Sequence, residues 1–402
     1  MTPPPPATES PIRSVDEVTE PRRPSFHLPL DPLLTLSMLG LAVCSIVTIH
    51  GATTGDIAGQ PDYYVYRQAA YFGVGIVLMI VISRFDYSRL RELRYGLYAI
   101  MIVTILAVMA VGTTARGSKR AFSAPFFSFQ PSELGKLLLI LSLAAFVVGR
   151  IRRGNDRDTT ARTMLLALVP AMIVIAQPDL GSGLVYVAVA VAILFFAGIS
   201  WKPLTALLAL GAVSIVIVLV AAPATGVTVL KPYQVDRLTA FLNPSDDPAK
   251  QGYQQNQAKI AIGAGQRTGR GDQATQTRNN FLPEHHTDFI FAVVGETYGF
   301  IGAAIVLSLF ALMIWRCLRI LTMAKNLYGA LIAGGVVAMI AFQVLVNVGM
   351  NVGIMPITGV TLPLMSYGGS SVIVTLMALG LLQSIYVQGR KNASVKGRVS
   401  VP

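Results

Sequence analysis

Residues 281–291 of the sequence read FLPEHHTDFIF, and they mark the point where a long polar segment gives way to a long hydrophobic run. Two of the four histidines and the carboxylate of Asp288 fall at this junction. An acidic side chain at the edge of a membrane is costly unless water or a partner stabilises it, so such a residue is a functional candidate. We therefore take Asp288, at the predicted mouth of a transmembrane helix, as the candidate for the chemistry.

The composition is that of a membrane protein. Of the 402 residues, 53% are hydrophobic and only 13% are charged, whereas about 25% of a soluble domain is charged. The net charge of +12 comes from small basic groups between apolar runs, as in the flanks of membrane helices, which argues against a nucleic-acid partner. The two cysteines, Cys44 and Cys317, lie far apart without CxxC spacing, so neither a disulfide framework nor a cysteine zinc site is predicted.

Hydrophobic segments of membrane-spanning length recur along the chain. A membrane helix needs roughly 20 apolar residues, and we count about ten candidates. They lie near residues 32–50, 69–84, 95–112, 133–150, 163–179, 182–200, 203–222, 288–315, 328–349 and 366–388. The sequence therefore predicts an all-α polytopic membrane protein.

The distribution of lysine and arginine orients these helices. Basic residues concentrate in the connections that share a side with both termini, which places both termini in the cytoplasm. We expect a disordered cytoplasmic tail over 1–30, a membrane domain over 31–388 and a basic cytoplasmic tail over 389–402. A large extracytoplasmic loop, 223–287, joins the seventh and eighth helices and contains a possible short amphipathic helix at 254–262.

Three polar clusters at membrane depth each admit a structural and a functional interpretation. Glu133 and Lys136 are three residues apart, so on a helix they form either a structural ion pair or a polar cluster facing a cavity. Asp179, in QPDLGSG at 177–183, either caps the next helix or lines the same site. The segment 347–371 is rich in glycine and proline, and such irregular backbone either serves close packing or forms the wall of a groove.

The long loop mixes cations with Gly263, Gly265, Gly269 and Gly271. Such a segment is either a solvated surface or a site for pyrophosphate, because glycines let backbone N–H groups approach the phosphates. The run 284–288 also contains potential metal ligands, but adjacent histidines in an extended segment point apart and do not favour a tight zinc site. A general base is the sharper interpretation of Asp288, because partial desolvation raises the basicity of a carboxylate.

Together these motifs resemble those of the SEDS family of cell-wall glycosyltransferases, and the RodA branch more than the FtsW branch. The matching elements are QPSELGK at 130–136, QPDLGSG at 177–183, the loop pattern from Arg237 to Gly263, FLPEHHTDFIFA at 281–292, and 347–371. They cover nearly the whole membrane region in the family's order. Two positions depart from the family pattern: Ala121 replaces a usual tryptophan, and Arg270 replaces a usual lysine.

The resemblance implies polymerisation of lipid II for cell-wall elongation, on the outer face of the bacterial cytoplasmic membrane, with inversion at the sugar and release of undecaprenyl pyrophosphate. Asp288 matches the catalytic aspartate and would be the general base. The residues expected to bind or support the substrate are Glu133, Lys136, Asp179, Arg120, Arg237, Lys259, Arg270, His286, Thr287 and Ser366. No cofactor is certain, although a divalent cation, Mg²⁺ or Mn²⁺, would suit the pyrophosphate. The implied partners are a class B penicillin-binding protein and other membrane proteins of the elongation complex.

Two other functions fit parts of the pattern. A flippase for the lipid-linked precursor would also use membrane carboxylates and broken helices. A scaffold that only positions the penicillin-binding protein would leave the polar site residues without a role. Asp288 discriminates between the polymerase and the flippase, because a base that is essential for polymerisation need not be essential for transport.

Overall fold

The computed structural model describes residues 30–54, 57, 60–115, 118–123, 127–151, 154–216, 251–278 and 281–399. Most of the fold is helical, and its elements follow the hydrophobic pattern of the chain. The helices are α1 (Pro32–Thr53), α2 (Tyr63–Arg84), α3 (Arg94–Val111), α4 (Pro131–Ile151), α5 (Asp156–Ala176), α6 (Leu180–Phe196), α7 (Trp201–Val216), α8 (Gln251–Gly265), α9 (Thr275–Arg278), α10 (Ile290–Met323), α11 (Leu327–Val352) and α12 (Gly369–Val399). Short 3-10 helices cover Tyr87–Arg91 and Gly271–Gln273.

Among the described residues, eight helices are long and apolar enough to cross a membrane: α1 to α5 and α10 to α12. The apolar helix α6 has 17 residues. It corresponds to the predicted span 182–200. Helix α7 covers the start of the predicted span 203–222, whose last residues lie outside the described part of the chain. The all-α polytopic class is confirmed.

The interior of the bundle is built mainly from α4, α11 and α12. Within the apolar windows of these helices 67%, 67% and 83% of residues are buried, against 17% for α3. Helix α12 packs along α2, and α11 packs against α4, α6 and α10. The peripheral helices therefore offer apolar side chains to the lipid, while the central helices carry the buried polar residues of the site.

Three short strands connect α3 to α4, a feature that the sequence did not predict. Strands β1 (Thr113–Ala115), β2 (Ser118–Ser123) and β3 (Ser128–Phe129) form an antiparallel sheet in the order β1-β2-β3. The sheet ends immediately before Gln130, which leads into α4. It therefore fixes the polar entrance of that helix.

The described part of the large loop is folded onto the bundle. Helix α8 includes the amphipathic helix predicted at 254–262, and Ala258 and Ala261 are fully buried while Ile260 is 50% exposed. Helix α10 breaks at Gly299, which has a φ of 64°. The N–H groups of Phe300 and Ile301 donate to the carbonyls of Gln266 and Arg267 in the loop, which takes the place of the interrupted helical hydrogen bonds.

Two glycines of this loop pack closely against the backbone of α10. A Cβ at Gly265 would lie 1.8 Å from the Gly295 carbonyl oxygen, and one at Gly269 would lie 2.2 Å from the Thr297 carbonyl oxygen. Gly263 and Gly271, in contrast, have open space at the Cβ position. Close backbone contact with α10 therefore explains two of the four glycines.

The domain boundaries remain predictions. Residues 1–29 of the N-terminal tail and residues 223–250, 279 and 280 of the loop lie outside the described residues. The region assigned to the C-terminal tail continues α12 as far as Val399.

Candidate active site

Asp288 lies in a turn directly before α10, and two amides of α11 hold its backbone. Its carbonyl oxygen accepts hydrogen bonds from Nδ2 of Asn347 at 2.9 Å and from Nδ2 of Asn351 at 3.2 Å. Oδ1 of Asn351 accepts the N–H of Ala292 at 3.1 Å, which also ties the first turn of α10 to α11. Both asparagines are fully buried, whereas Asp288 is half-buried. The arrangement fixes the backbone of the candidate base.

The irregular segment after α11 forms the wall beside this carboxylate. Gly359 has a φ of +76°, and a Cβ there would lie 3.6 Å from Oδ2 of Asp288. Nδ2 of Asn347 also donates to the Val360 carbonyl at 2.8 Å, so one amide holds both the base and the wall. The segment 347–371 thus packs beside Asp288 at Gly359, and we call this part of it the wall; its role as the side of a groove stays a prediction.

The same wall reaches the second polar cluster at the start of α6. A Cβ at Gly181 would lie 2.9 Å from the Thr358 carbonyl oxygen, so the two backbones are in close contact. Asp179 caps α6 through Oδ1, which accepts the N–H of Ser182 at 3.0 Å. Its Oδ2 accepts hydrogen bonds from the Ser132 hydroxyl at 3.0 Å and from Nε2 of Gln130 at 3.2 Å. Asp179 therefore caps α6 as predicted and also holds the start of α4 through its second oxygen, while its place in a shared site stays a prediction.

Glu133 and Lys136 form a buried ion pair on α4. Nζ of Lys136 lies 2.5 Å from Oε1 of Glu133, and the two residues are only 2% and 7% exposed. The neighbouring Ser132 links this pair to Asp179 by its hydroxyl group, and its carbonyl accepts the Tyr186 hydroxyl at 3.0 Å. The carboxylate of Glu133 therefore neutralises the buried charge of Lys136.

Hydroxyl groups at the start of α12 complete the connection. Oγ of Ser370 accepts the N–H of Gln130 at 2.9 Å and donates to the Ser128 carbonyl at 2.7 Å. The hydroxyls of Thr361 and Ser371 lie 3.1 Å apart. A series of polar side chains, some hydrogen-bonded to each other and some adjacent only in sequence, thus runs from the Glu133 cluster to the wall beside Asp288, and we call it the polar belt.

His286, Thr287 and Ser366 position the turn that carries Asp288. The Ser366 hydroxyl donates to the Thr287 carbonyl at 2.6 Å and accepts the N–H of Leu362 at 2.8 Å. The His286 carbonyl accepts the N–H of Tyr367 at 2.8 Å. The centroid of the His286 ring lies 4.8 Å from the centroid of the Tyr64 ring. Burial raises the pKa of the Tyr367 phenol, which therefore stays protonated. These contacts give the three predicted residues a supporting role.

Arg120 supports the site through the backbone. Its Nε and one terminal nitrogen donate to the carbonyls of Gln177 and Pro178, at 3.1 and 2.6 Å. This arginine therefore fixes the turn that presents Asp179.

The described loop cations lie in residues 251–278 of the predicted extracytoplasmic loop, which we call the external segment. The Lys259 side chain covers Gly353 at the end of α11, since a Cβ there would lie 2.6 Å from Nζ. The N–H of Arg270 donates to the Glu296 carbonyl at 2.8 Å, and its guanidinium contacts Thr275 at 3.3 Å. Arg237 lies outside the described residues.

Glu296 has a role that the sequence did not reveal. Its carboxylate is fully buried and accepts the N–H groups of Gln276 and Thr277, at 2.8 and 3.0 Å, together with the Thr277 hydroxyl. It therefore anchors the external segment to α10.

Other supporting residues were also missed by sequence reasoning. Asn347 and Asn351 are four residues apart on α11 and therefore lie on the same face of the helix. This spacing is the one sequence signal that could have identified them as a pair. Gln68 is fully buried on α2, and its amide donates to the Ser366 carbonyl at 3.2 Å and to the Ser45 hydroxyl at 3.1 Å. No motif indicated this contact.

No group of three His, Cys, Asp or Glu residues in the described part of the chain is arranged to hold a metal ion.

Membrane-spanning helices around a belt of buried carboxylates, amides and hydroxyls define a polytopic membrane protein with a polar site at one end of the bundle. The family model FTSW_RODA_SPOVE, described as "Cell cycle protein", matches residues 30–391. The chain belongs to this family, which is the SEDS family.

Several named relatives cover almost the whole chain. It is 36% identical over 360 residues to the peptidoglycan glycosyltransferase MrdB of Escherichia coli K12, covering 89% of this chain and 93% of that protein. It is 36% identical over 383 residues to a probable peptidoglycan glycosyltransferase FtsW of Thioalkalivibrio sulfidiphilus, covering 92% and 93%. It is 33% identical over 368 residues to the stage V sporulation protein E of Bacillus subtilis, covering 88% and 96%.

Solved structures have the same fold. One is a chain from a peptidoglycan synthase complex that coordinates polymerisation and crosslinking, with a TM-score of 0.75, 31% identity, and coverage of 90% of this chain and 99% of that chain. Another is the rod shape determining protein RodA of Thermus thermophilus, with a TM-score of 0.65, 29% identity, and coverage of 91% and 98%.

Proposed function

We propose that this protein is a peptidoglycan glycosyltransferase that polymerises lipid II, with Asp288 as the general base. The observation that carries the proposal is the placement of Asp288. Two buried amides fix its backbone, and its carboxylate lies beside Gly359, where a Cβ would come within 3.6 Å of Oδ2. The relatives named peptidoglycan glycosyltransferases support the reaction class.

The reaction transfers a glycosyl group between two lipid-linked sugars. The 4-hydroxyl oxygen of the acceptor attacks the anomeric carbon of the donor, and the bond from that carbon to the pyrophosphate oxygen breaks. Asp288 takes the proton of the attacking hydroxyl, and undecaprenyl pyrophosphate leaves with the bonding electrons. A single displacement inverts the anomeric carbon, so one carboxylate base suffices.

The polar belt would bind the sugars and the leaving group. Gln130 and the buried Glu133–Lys136 pair place hydrogen-bonding and charged groups at the start of α4. Lys259 and Arg270, with Arg237, would supply positive charge for the pyrophosphate. Because the described residues hold no ligand cluster, a divalent cation would need pyrophosphate oxygens as ligands, and no step of the mechanism depends on it.

The proposal extends to location and partners. The protein would lie in the bacterial cytoplasmic membrane with both termini inside, so that the Asp288 end faces outward. It would work with a class B penicillin-binding protein, as the likeness to a synthase complex for polymerisation and crosslinking suggests. The likeness to RodA supports a role in elongation, with other membrane proteins of that complex.

The test measures glycan strands made from purified lipid II by the full chain reconstituted with its penicillin-binding partner. Wild type is compared with Asp288→Asn, which keeps the shape of the side chain but removes the base. Asp272→Asn is the matched control, because Asp272 is an exposed carboxylate on the external segment. We expect polymer from wild type and the control, and a loss of at least about a hundredfold in Asp288→Asn, the scale of general-base catalysis.

Two outcomes would overturn the proposal. Equal polymer from wild type and Asp288→Asn would remove Asp288 from the chemistry. No polymer from any variant, together with transfer of lipid II across liposome bilayers by the same preparations, would favour a flippase.

A further inference from the structure

A polar cavity of about 500 Å³ lies at the end of the bundle opposite to Asp288. Asp288 contacts the last turns of α11, at Asn347 and Asn351, whereas the cavity is lined by Asn326 and Tyr328 at the start of the same helix. Because α11 has 26 residues, the two sites are about 30 Å apart along its axis.

The wall opposite to α11 is the connection between α2 and α3. It contains the 3-10 helix Tyr87–Arg91, and it is braced on α11 by the Tyr87 hydroxyl, which lies 3.3 Å from Oδ1 of Asn326. Asp86 and Lys325 form a second brace at 3.4 Å. Side-chain contacts therefore hold the two walls of the cavity together, the α2–α3 connection on one side and the start of α11 on the other.

Hydrogen-bond donors and positive charge dominate its lining. Arg91 and Arg94 both line the cavity, and within the described part of the chain neither has a carboxylate partner within ion-pair distance. Oδ1 of Asn326 is engaged by Tyr87 and by the N–H of Gly329, which leaves its amide N–H groups for a ligand. Ser88 also lines the cavity. Glu92 is the one carboxylate in the lining.

Two exposed side chains, one that lines the cavity and one adjacent to its lining in sequence, form what we call its rim. Leu93 is 57% exposed and Tyr95 is 71% exposed, and both adjoin the start of the membrane span of α3. Tyrosine beside arginine at the end of a span is typical of the membrane interface, where a ring contacts the lipid and cations contact head groups. A soluble phosphate would use the cations but would leave this rim uncovered.

We propose that this cavity binds the phosphodiester head group of an anionic membrane lipid, with Arg91 and Arg94 as its charged contacts. Two guanidinium groups provide the planar pairs of donors that phosphate oxygens accept. Ser88 and Asn326 add neutral donors, and Leu93 and Tyr95 cover the start of the acyl chains. The lipid would seal the α2–α3 connection against α11 and is independent of the polymerisation reaction.

The test titrates the full-length protein in detergent with short-chain phosphatidylglycerol and phosphatidylcholine, and counts bound lipid by native mass spectrometry. The site variant is Arg91→Gln with Arg94→Gln. The matched control is Arg84→Gln with Arg89→Gln, which removes the same charge from the same end of the bundle at positions outside the cavity lining. We expect phosphatidylglycerol affinity to fall about thirtyfold in the site variant, as for two arginines near a membrane surface, and by less than about threefold in the control.

Three results would overturn the proposal. Equal losses of phosphatidylglycerol affinity in both double variants would mean that diffuse surface charge binds the lipid. If the wild-type protein bound phosphatidylcholine as tightly as phosphatidylglycerol, the head group would not be recognised. If glycerol 3-phosphate bound as tightly as phosphatidylglycerol, the site would take a soluble phosphate. The Arg91→Gln single variant leaves the contact of Arg94 with Tyr95 in place, and its affinity for phosphatidylglycerol should still fall about fivefold. Thermal unfolding checks that each variant is folded.

Discussion

Replacing Asn347 with leucine should impair catalysis far more than substrate binding. The substitution keeps the approximate size of the side chain but removes the Nδ2 donor that holds the carbonyls of Asp288 and Val360, at 2.9 and 2.8 Å. The Asp288 carbonyl would keep its longer bond from Asn351, at 3.2 Å. The base and the wall would therefore lose their common tether while the carboxylate itself remains.

The size of the effect follows from these two hydrogen bonds. Each contributes about 1 kcal/mol net, and a buried carbonyl left without a donor costs about 1–3 kcal/mol. Together they give about 2–4 kcal/mol, which is a factor of about 30 to 1,000 in rate if positioning carries the whole effect. We expect kcat to fall about a hundredfold, with a change of less than about threefold in KM, because the groups proposed to bind lipid II are unchanged.

The assay is lipid II polymerisation by the reconstituted complex, with thermal unfolding of each variant measured in the same detergent. Gln343→Leu is the matched control, because Gln343 is a buried amide one turn earlier on α11. Its Oε1 has no hydrogen-bond partner among the described residues, so its removal should leave the rate and the stability near wild type. A wild-type kcat in Asn347→Leu would refute the positioning role, and so would an equal loss in Gln343→Leu.

Three further substitutions test the surroundings of the site. Gly181→Ala would place a Cβ 2.6 Å from Val360, so polymerisation should fall about tenfold and stability by about 1–3 kcal/mol in thermal unfolding. Glu296→Ala removes the acceptor for the N–H groups of Gln276 and Thr277, so limited proteolysis of the external segment should accelerate at least about tenfold. Glu133→Gln leaves Lys136 buried without its counter-charge and should destabilise the protein by about 3–5 kcal/mol, most of which Lys136→Met should restore in the double variant.

Each of these predictions has a result that contradicts it. Wild-type polymerisation in Gly181→Ala would mean that the wall moves freely away from α6. Unchanged proteolysis in Glu296→Ala would mean that packing of α8 alone holds the segment. A double variant as unstable as Glu133→Gln would show that the lysine charge is not the source of the instability.

Local patterns predicted the spans and the short-range pairs. The length of an apolar run is a local property, so most helices occur where the sequence placed them, with bounds shifted by several residues. The Glu133–Lys136 pair follows from a spacing of three residues on a helix, and the Asp179 cap follows from its place before α6. These contacts join residues close in sequence.

Contacts between distant residues could not be predicted in the same way. The amides of Asn347 and Asn351 meet Asp288 across about sixty residues, and the meeting depends on how α10 packs against α11. The loop glycines show a different limit, because the same pattern suits a phosphate site or close backbone contact. The tertiary structure shows close backbone contact at Gly265 and Gly269, where the backbone of α10 occupies the space that a Cβ would need.

The choice of asparagine around Asp288 has a chemical reason. A general base must remain basic enough to take a proton, and a nearby cation would stabilise its carboxylate and weaken it as a base. An arginine could donate to the same two carbonyls, but it would bring a positive charge to the turn. Asn347 provides the hydrogen bonds as a neutral group, and the buried Lys136 is balanced by Glu133 at 2.5 Å. Asn347→Arg should therefore weaken polymerisation even where it restores the hydrogen bonds, and it should move the acidic limb of the pH–rate profile to lower pH, whereas Asn347→Leu should leave that limb in place.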